Sequence, residues 1–297
     1  MSLSFKSYVD ESPDHIYYNV SILNNNSVGE NPVFVNFNDV RSSPVIQKAN
    51  DYYFSIIRFS LDTNSLPVFI PQIELGQSNP NKTIYSFTLT CLSGSTILYG
   101  QQNLIWETQR KDVPIPPAPT TEQQDSVYYY GYDIQHFYKL VNNTLSTAYA
   151  TLDSQVPGGL SSHPPFFQYD VNTKKAILVA DATKYLNTLP NPVKIYCNGA
   201  MWNLLGSFEA EYYGLSNGRD YQYTIRNINF SNLLKVPLNF TATTYYTGLQ
   251  SYQEESTTNM LNPVQGIVFT STMLPIASTV IAKPQVFNSD STLTVGG

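Results

Sequence analysis

Residues 113–119 read Val-Pro-Ile-Pro-Pro-Ala-Pro, and no helix interior or central strand can contain such a run. Each proline lacks the N–H that a ladder needs, and its ring fixes φ, so the segment is stiff and extended. It lies in the stretch 111–126 and reads as a connector along which the chain leaves one body for another. The residues on its two sides carry different periodicities.

Before the connector the pattern is short strands separated by turns. Residues 15–23 read as a strand closed by Asn24-Asn-Asn-Ser, and residues 33–37 place Val33, Val35 and Phe37 on one face. Residues 51–61 form the longest run: Tyr53, Ser55, Ile57, Phe59 and Leu61 alternate with Tyr52, Phe54, Ile56, Arg58 and Ser60. Both faces are largely apolar, so this strand is expected to be covered on both sides. The run 66–71 has a proline at each end, which suits an edge or a corner. Residues 83–92 form a strand that turns at Ser93-Gly94 into a second one over 96–99.

After the connector comes the one strong helical pattern. From the N-cap Asp133, Ile134, Phe137, Tyr138, Val141, Leu145, Ala148, Tyr149 and Leu152 make a single apolar stripe that ends before Pro157-Gly-Gly. Short strands follow at 176–180, 193–197 and 207–213, with helical segments at 182–186 and 200–205. Strands return at 221–228, 238–246, 264–272 and 280–287. A mixed insertion inside an all-β body explains this order better than two domains in tandem. Eight or more antiparallel strands outside the insertion fit a jelly roll. The expected fold is therefore mainly β: a single jelly roll (antiparallel β-sandwich) over residues 1–110 and 218–297, interrupted by a mixed α+β insertion domain at 111–217.

Composition bounds the function. Only 13 % of the 297 residues are charged, about half the usual share of roughly 25 %. A chain so poor in charge either exposes neutral polar groups or buries its surface against other subunits. The 23 tyrosines fit the second reading, because a tyrosine ring buries area while its hydroxyl finds a partner. AT-rich coding also enriches Asn, Ile and Tyr, so both explanations stay open. The net charge is −6, and Lys6 is the one basic residue before Arg41, which argues against wrapping nucleic acid. Met1-Ser-Leu-Ser-Phe-Lys has no apolar stretch of the kind a secretory signal carries, and no apolar run nears the ~18 residues of a membrane span. Cys91 and Cys197 each sit in an apolar strand-like run and read as buried free thiols.

Catalytic chemistry is sparse. His15, His136 and His163 have no partner at metal-ligand spacing, His136 falls on the polar side of the helix, and no metal or cofactor is expected. No Gly-rich phosphate loop or nucleophile elbow occurs. Glu209 and Glu211, two apart on a strand, would lie roughly 6.5–7 Å apart on one face, a spacing that glycoside hydrolysis can use. Any polar strand face in an acidic chain produces such a pair, and no catalytic residue is assigned. Glu254 and Glu255 are adjacent and would point to opposite faces of a strand.

Two stretches carry a resemblance. The first is Asp51-Tyr-Tyr-Phe-Ser-Ile-Ile-Arg58-Phe59-Ser, followed by Leu66-Pro67-Val-Phe-Ile70-Pro71. The second is Gln253-Glu254-Glu255-Ser256-Thr257, then Asn262-Pro263-Val264, Ile267-Val-Phe-Thr-Ser271 and Leu274-Pro275-Ile276, with Pro284 beyond. Together, and in this order, they resemble the penton (minor capsid) proteins of virophages and polinton-like viruses; size and Asn/Tyr-rich character look most like the mavirus type. The helix with Val141-Asn142-Asn143-Thr-Leu145 is similar to the helical part of that family.

The resemblance implies a vertical single jelly roll, five copies of which close an icosahedral vertex as a homopentamer. Major capsid proteins with double jelly rolls would surround its base. The insertion would project outward, where it could meet a host or giant-virus receptor. The chain would be made in the host cytoplasm and reside at the capsid vertex, without direct nucleic-acid binding and without a membrane span. Arg58, Phe59, Pro67, Gln253, Glu254, Asn262, Pro263 and Pro275 carry over as structural motif residues. Arg58 either pairs with Glu254 or Glu255, tying the two stretches together, or reaches solvent or a neighbouring subunit. Pro263 and Pro275 are expected to set strand ends. The terminal Thr294-Val-Gly-Gly297 is either a plain tail or a site of the kind that Gly-Gly-cutting maturation proteases use. The competing reading is a jelly-roll attachment protein that binds a receptor or glycan.

Overall fold

The computed structural model describes residues 3–6, 15–18, 66–118, 126–215, 218–238, 244–263, 286–287 and 293–294. The chain groups into two compact units, one made of Met1–Arg58 and Thr272–Gly297 and the other of Phe59–Ser271. In the first unit, strand β1 (Leu3–Lys6) pairs antiparallel with β2 (His15–Tyr18).

The second unit opens on a hairpin of β3 (Lys82–Ser93) and β4 (Thr96–Ile105), turned by Gly94 at φ 62°. Tyr85, Phe87, Leu89 and Cys91 face the core. Ser86, Thr88 and Thr90 on the other face of β3 are buried as well. Small hydroxyl side chains fill this face, and both sides of β3 are covered.

The proline-rich segment does not lead to another body. The Trp106 indole N–H donates to the Tyr128 carbonyl at 2.9 Å, in a 3₁₀ turn over Val127–Tyr129, and the Tyr129 hydroxyl donates to the Pro80 carbonyl at 2.9 Å. Gly131 and Phe69 exchange two backbone hydrogen bonds, at 2.8 and 3.1 Å. A stiff segment sets how far the chain travels; burial of Trp106, Tyr128 and Tyr129 decides that it returns to the same core.

Helix α1 (Ile134–Asp153) starts where the Asp133 side chain accepts the Gln135 N–H. Its expected stripe is buried or packed against the core, and Leu140 and Thr144 are buried in addition. The helix is covered from two directions: β3 and β4 lie on one side, and β5 (Phe166–Asp170) on another. Thr144 tolerates this because its hydroxyl donates to the Leu140 carbonyl at 2.8 Å. Helix and sheet come into backbone contact at Gly100, where an added Cβ would lie 2.1 Å from the Ala148 carbonyl oxygen and 2.7 Å from the Leu152 nitrogen.

Next come β6 (Lys175–Asp181), α2 (Ala182–Tyr185), β7 (Lys194–Cys197), α3 (Gly199–Leu205), β8 (Ala210–Leu215), β9 (Arg219–Tyr223), β10 (Leu233–Pro237), β11 (Tyr245–Tyr252) and α4 (Thr258–Leu261). They complete two antiparallel sheets, one in the order β4-β3-β7-β9-β8 and the other β10-β11-β6-β5. The sheets' inner faces meet through Phe87, Phe167 and Tyr223, with ring centroids of Phe167 5.9 Å from each of the other two. Beyond them, β12 (Val286–Phe287) and β13 (Leu293–Thr294) pair in the first unit.

This arrangement departs from the expected partition at 1–110, 111–217 and 218–297. Strands β3 and β4, expected in the jelly roll, share a sheet with β7 and β8, expected in the insertion, and the unit boundaries fall at Phe59 and Ser271. Periodicity finds strands but not their lateral partners, so the proline segment was given a boundary that pairing assigns elsewhere. The expected strand at 238–246 begins after the end of β10 and reaches the start of β11, and residues 239–243 within it lie outside the described residues. The expected strands 33–37, 51–61 and 264–272 lie outside the described residues.

Candidate functional site

Among the described motif residues, Gln253 is the one held by the most side-chain hydrogen bonds shown. It follows β11 directly, and its backbone N–H extends the ladder by donating to the Ala176 carbonyl at 3.1 Å. Its side chain, in a residue 3 % exposed, accepts the Ala176 N–H at 2.9 Å and donates to the Gly206 carbonyl at 2.7 Å and the Thr257 hydroxyl at 2.8 Å. The Thr257 hydroxyl in turn donates to the Leu204 carbonyl at 2.6 Å. One amide thus ties β6 of the four-stranded sheet to the end of α3 beside the five-stranded sheet. The neighbouring Glu254 works through its backbone alone: its N–H donates to the Ser207 carbonyl, its carbonyl accepts from Lys175, and its carboxylate is exposed.

Pro67 is buried beside the Phe69–Gly131 bridge, whereas Asn262 and Pro263 are exposed just after α4. Arg58, Phe59 and Pro275 lie outside the described residues, and with them the expected Arg58 contact to Glu254 or Glu255. Residues 295–297, which hold the Gly-Gly end, lie outside as well. Cys91 and Cys197 are both free and buried.

Two histidines have partners that sequence spacing hid. His136, expected on a solvated face, bonds the Glu107 carbonyl through Nε2 at 2.6 Å and packs edge-on to Trp106. His163 Nδ1 meets the Asp181 carboxylate at 2.8 Å, and its ring stacks on Tyr246 with centroids 4.0 Å apart. Asp181 is 2 % exposed and also accepts the Thr183 N–H and hydroxyl. Burial works against its charge, but the hydrogen bonds from His163 and Thr183 prevail and hold the carboxyl below the usual carboxylate range. A depressed folded-state value contributes stability above the unfolded pKa of about 4, which is lost as pH falls through the folded value. Asp181→Asn is therefore expected to lose about 1–3 kcal/mol at pH 7 and to show a smaller further loss than the parent on acidification, as read from urea midpoints at pH 7 and pH 3.

The Glu209–Glu211 pair is not assembled as a catalytic site. Glu209 is ion-paired with Arg226 at 2.6 Å. Glu211 accepts the Tyr213 hydroxyl at 2.6 Å, a bond that pushes that phenol up to about 12. Both carboxylates are exposed, and neither lines the cleft between α1 and β5 or the one between α1 and β4. The larger cleft, about 640 Å³, lies between α1 and β5 and is lined by Tyr138, Lys139, Asn142, Gln168, Tyr169 and Asp170 among others. Asn142 holds both the N–H and the C=O of Phe167 with its side-chain amide, at 2.7 and 2.9 Å, and so covers that position of an edge strand. Among the described residues no group of three or more His, Cys, Asp or Glu could hold a metal ion, and no helix is long and apolar enough to cross a membrane.

The exposed surface carries large uncharged side chains. Ile97 and Tyr99 on β4, Tyr212 on the edge strand β8, and Ile228 and Phe230 before β10 are all more than half exposed. Several of the charges present are neutralised locally, as in Lys82–Glu74, Arg110–Asp112 and Lys139–Glu107. A surface of this kind is suited to contact with other protein surfaces.

The profile of the family described as Sputnik minor capsid protein V18/19 matches residues 16–297. An uncharacterized protein V18 of Sputnik virophage is 29 % identical over 175 residues, covering 56 % of this chain and 99 % of that protein. Structural protein V19 of the same virophage is 35 % identical over 117 residues, 38 % of this chain and 52 % of V19. A chain in the 3.5 Å cryo-EM structure of the Sputnik virophage matches with a TM-score of 0.56 and 29 % identity, over 66 % of this chain and 54 % of that one. The mavirus penton protein matches with a TM-score of 0.37 and 18 % identity, over 67 % of this chain and 48 % of that one. The chain spans about half the length of V19 and of both solved chains. Similarity is thus greater to the Sputnik proteins than to the mavirus type expected from size and composition.

Proposed function

The chain belongs to the family of the Sputnik minor capsid protein V18/19 and is a virophage minor capsid, structural protein; from that premise we propose that five copies of it close the vertex of an icosahedral particle. The observation that carries this reading is the family match over residues 16–297. A ring of heterologous contacts needs surfaces that desolvate cheaply. The low charge and the exposed tyrosine and aliphatic side chains supply them.

In this reading the chain contributes a single jelly roll to the vertex and offers a second body to other proteins. Major capsid proteins with double jelly rolls would flank the base. No catalytic step and no nucleic-acid contact is assigned to the chain. Locating it in purified particles by cryo-EM tests the proposal. Five copies around each fivefold axis are expected; density at any other position, or none, overturns it.

A receptor- or glycan-binding role on the same body is favoured by the cleft between α1 and β5, where Tyr169 sits beside Gln168, Asn142 and Asp170. A glycan array probed with purified protein and with a Gln168→Ala variant tests that role. Specific binding weakened by the substitution is expected, and absence of any bound glycan excludes glycans as the ligand.

A further inference from the structure

The loop between β9 and β10 presents an apolar pair on a strained and tightly held backbone. Asn229 and Phe230 are consecutive residues at positive φ, 48° and 63°. Asparagine tolerates this conformation; a bulky aromatic adopts it rarely, and only where the surroundings enforce it. Here they do. Phe230 N–H donates to the Asn227 side chain at 2.8 Å, and Ile228 N–H to the Asn232 side chain at 2.9 Å. The Ser231 N–H and hydroxyl both donate to the Ile228 carbonyl, at 2.9 and 2.6 Å. Asn232, 2 % exposed, locks the loop down by donating to the carbonyls of Arg226 and Gln250 at 2.7 and 3.0 Å.

What the clamp holds stands largely in solvent. Phe230 is 73 % exposed and Ile228 57 % exposed. A connection of this length with Gly or Asn at 230 would make the same turn without the strain and without an aromatic ring in water. Strain retained together with exposure indicates a gain made elsewhere. The N–H groups of Ile228, Phe230 and Ser231 are bonded within the loop, so covering it would leave none of these donors unpaired.

We infer that Phe230 and Ile228 form a preorganised apolar knob that seats in an uncharged apolar socket on a neighbouring protein subunit of the particle. Charge selects this occupant. Residues 227–234, Asn-Ile-Asn-Phe-Ser-Asn-Leu-Leu, contain no ionisable group; of the two flanking cations, Arg226 is neutralised by Glu209 at 2.6 Å and Lys235 stands exposed, on β10. Interface cores are depleted of charge in this way. A loop made to enter lipid would instead carry free cations for the headgroups. The clamp removes much of the ordering cost of docking, the usual property of an anchor residue.

The inference rests on the reading of the chain as a particle subunit, and the test separates the two. A Phe230→Cys variant offers a thiol on the loop, while Cys91 and Cys197 stay buried. Its maleimide labelling rate is measured on the free protein and on purified particles. Labelling at least about ten-fold slower in particles is expected, corresponding to about 1.4 kcal/mol of protection. A second variant, Phe230→Gly, relieves the backbone strain. Its Tm is expected to stay level or rise by about 2–4 °C, while its incorporation into particles competing with wild type falls at least about ten-fold. If wild-type chain is missing from particles, the capsid reading fails. If the Cys variant is incorporated and labels at the free rate, or Phe230→Gly competes equally, the knob fails alone. Protection of the free Cys variant by phosphatidylcholine–phosphatidylserine vesicles would overturn the protein socket in favour of a lipid surface.

Discussion

Gln253→Ala is expected to destabilise the protein by about 3–5 kcal/mol. Truncation leaves the Ala176 N–H and the Gly206 carbonyl without the partners they have at 2.9 and 2.7 Å, and it removes a bond to Thr257. Each buried group left unpaired costs roughly 1–3 kcal/mol. The site is 3 % exposed, so water can replace the amide only if the fold opens. Urea unfolding measures the loss, and Tm should fall by roughly 10 °C, at about 2–4 °C per kcal/mol for a unit of this size. Glu254→Ala is the matched comparison. That carboxylate is exposed and its backbone contacts survive truncation, so a change within about 0.5 kcal/mol is expected. Equal effects at the two positions would refute the assignment of the tie to the Gln253 side chain.

Gly100→Ala should be as severe for the opposite reason, an added atom with no place to go. The new Cβ would stand 2.1 Å from the Ala148 carbonyl oxygen and 2.7 Å from the Leu152 nitrogen, both on the backbone of α1. No rotamer change relieves a clash with backbone. The helix would have to lift from β4, opening the packing of Leu145, Ala148 and Leu152, which are fully buried. Overpacking costs typically ~1–3 kcal/mol, and a clash this close belongs at the upper end or beyond, about 3 kcal/mol or more. Gly199→Ala serves as control. Its Cβ meets nothing within 4 Å at the start of α3, so stability should hold or rise by less than about 1 kcal/mol. Calorimetry on both variants checks the contrast.

Legibility in sequence followed range. Helix α1 was readable down to its Asp133 cap because its information is local: one stripe at 3.6-residue period and one capping side chain. The β3–β4 hairpin and the short helices α2 and α3 were readable for the same reason. Lateral order was not. Nothing near β3 announces that β7 lies beside it, and nothing near β6 announces β11. The motif reading gave Gln253 and Glu254 equal standing; only the fold separates a buried amide with three partners from a carboxylate in solvent. His163 looked isolated because Asp181 and Tyr246 reach it from other strands. The conformation of Phe230 had no sequence signal, since residue type predicts against it.

The placement of β3 between β4 and β7 also sets a timetable for synthesis. Strand β4 follows β3 directly, whereas β7 is not complete until Cys197, about a hundred residues after Ser93. At roughly 5–20 residues per second the ribosome needs about 5–20 s to deliver it. Throughout that interval β3 is paired on one flank, to β4, and open on the other, the arrangement that invites pairing with another nascent chain. Neighbouring nascent chains on one message are thereby open to cross-pairing at this flank until each reaches Cys197.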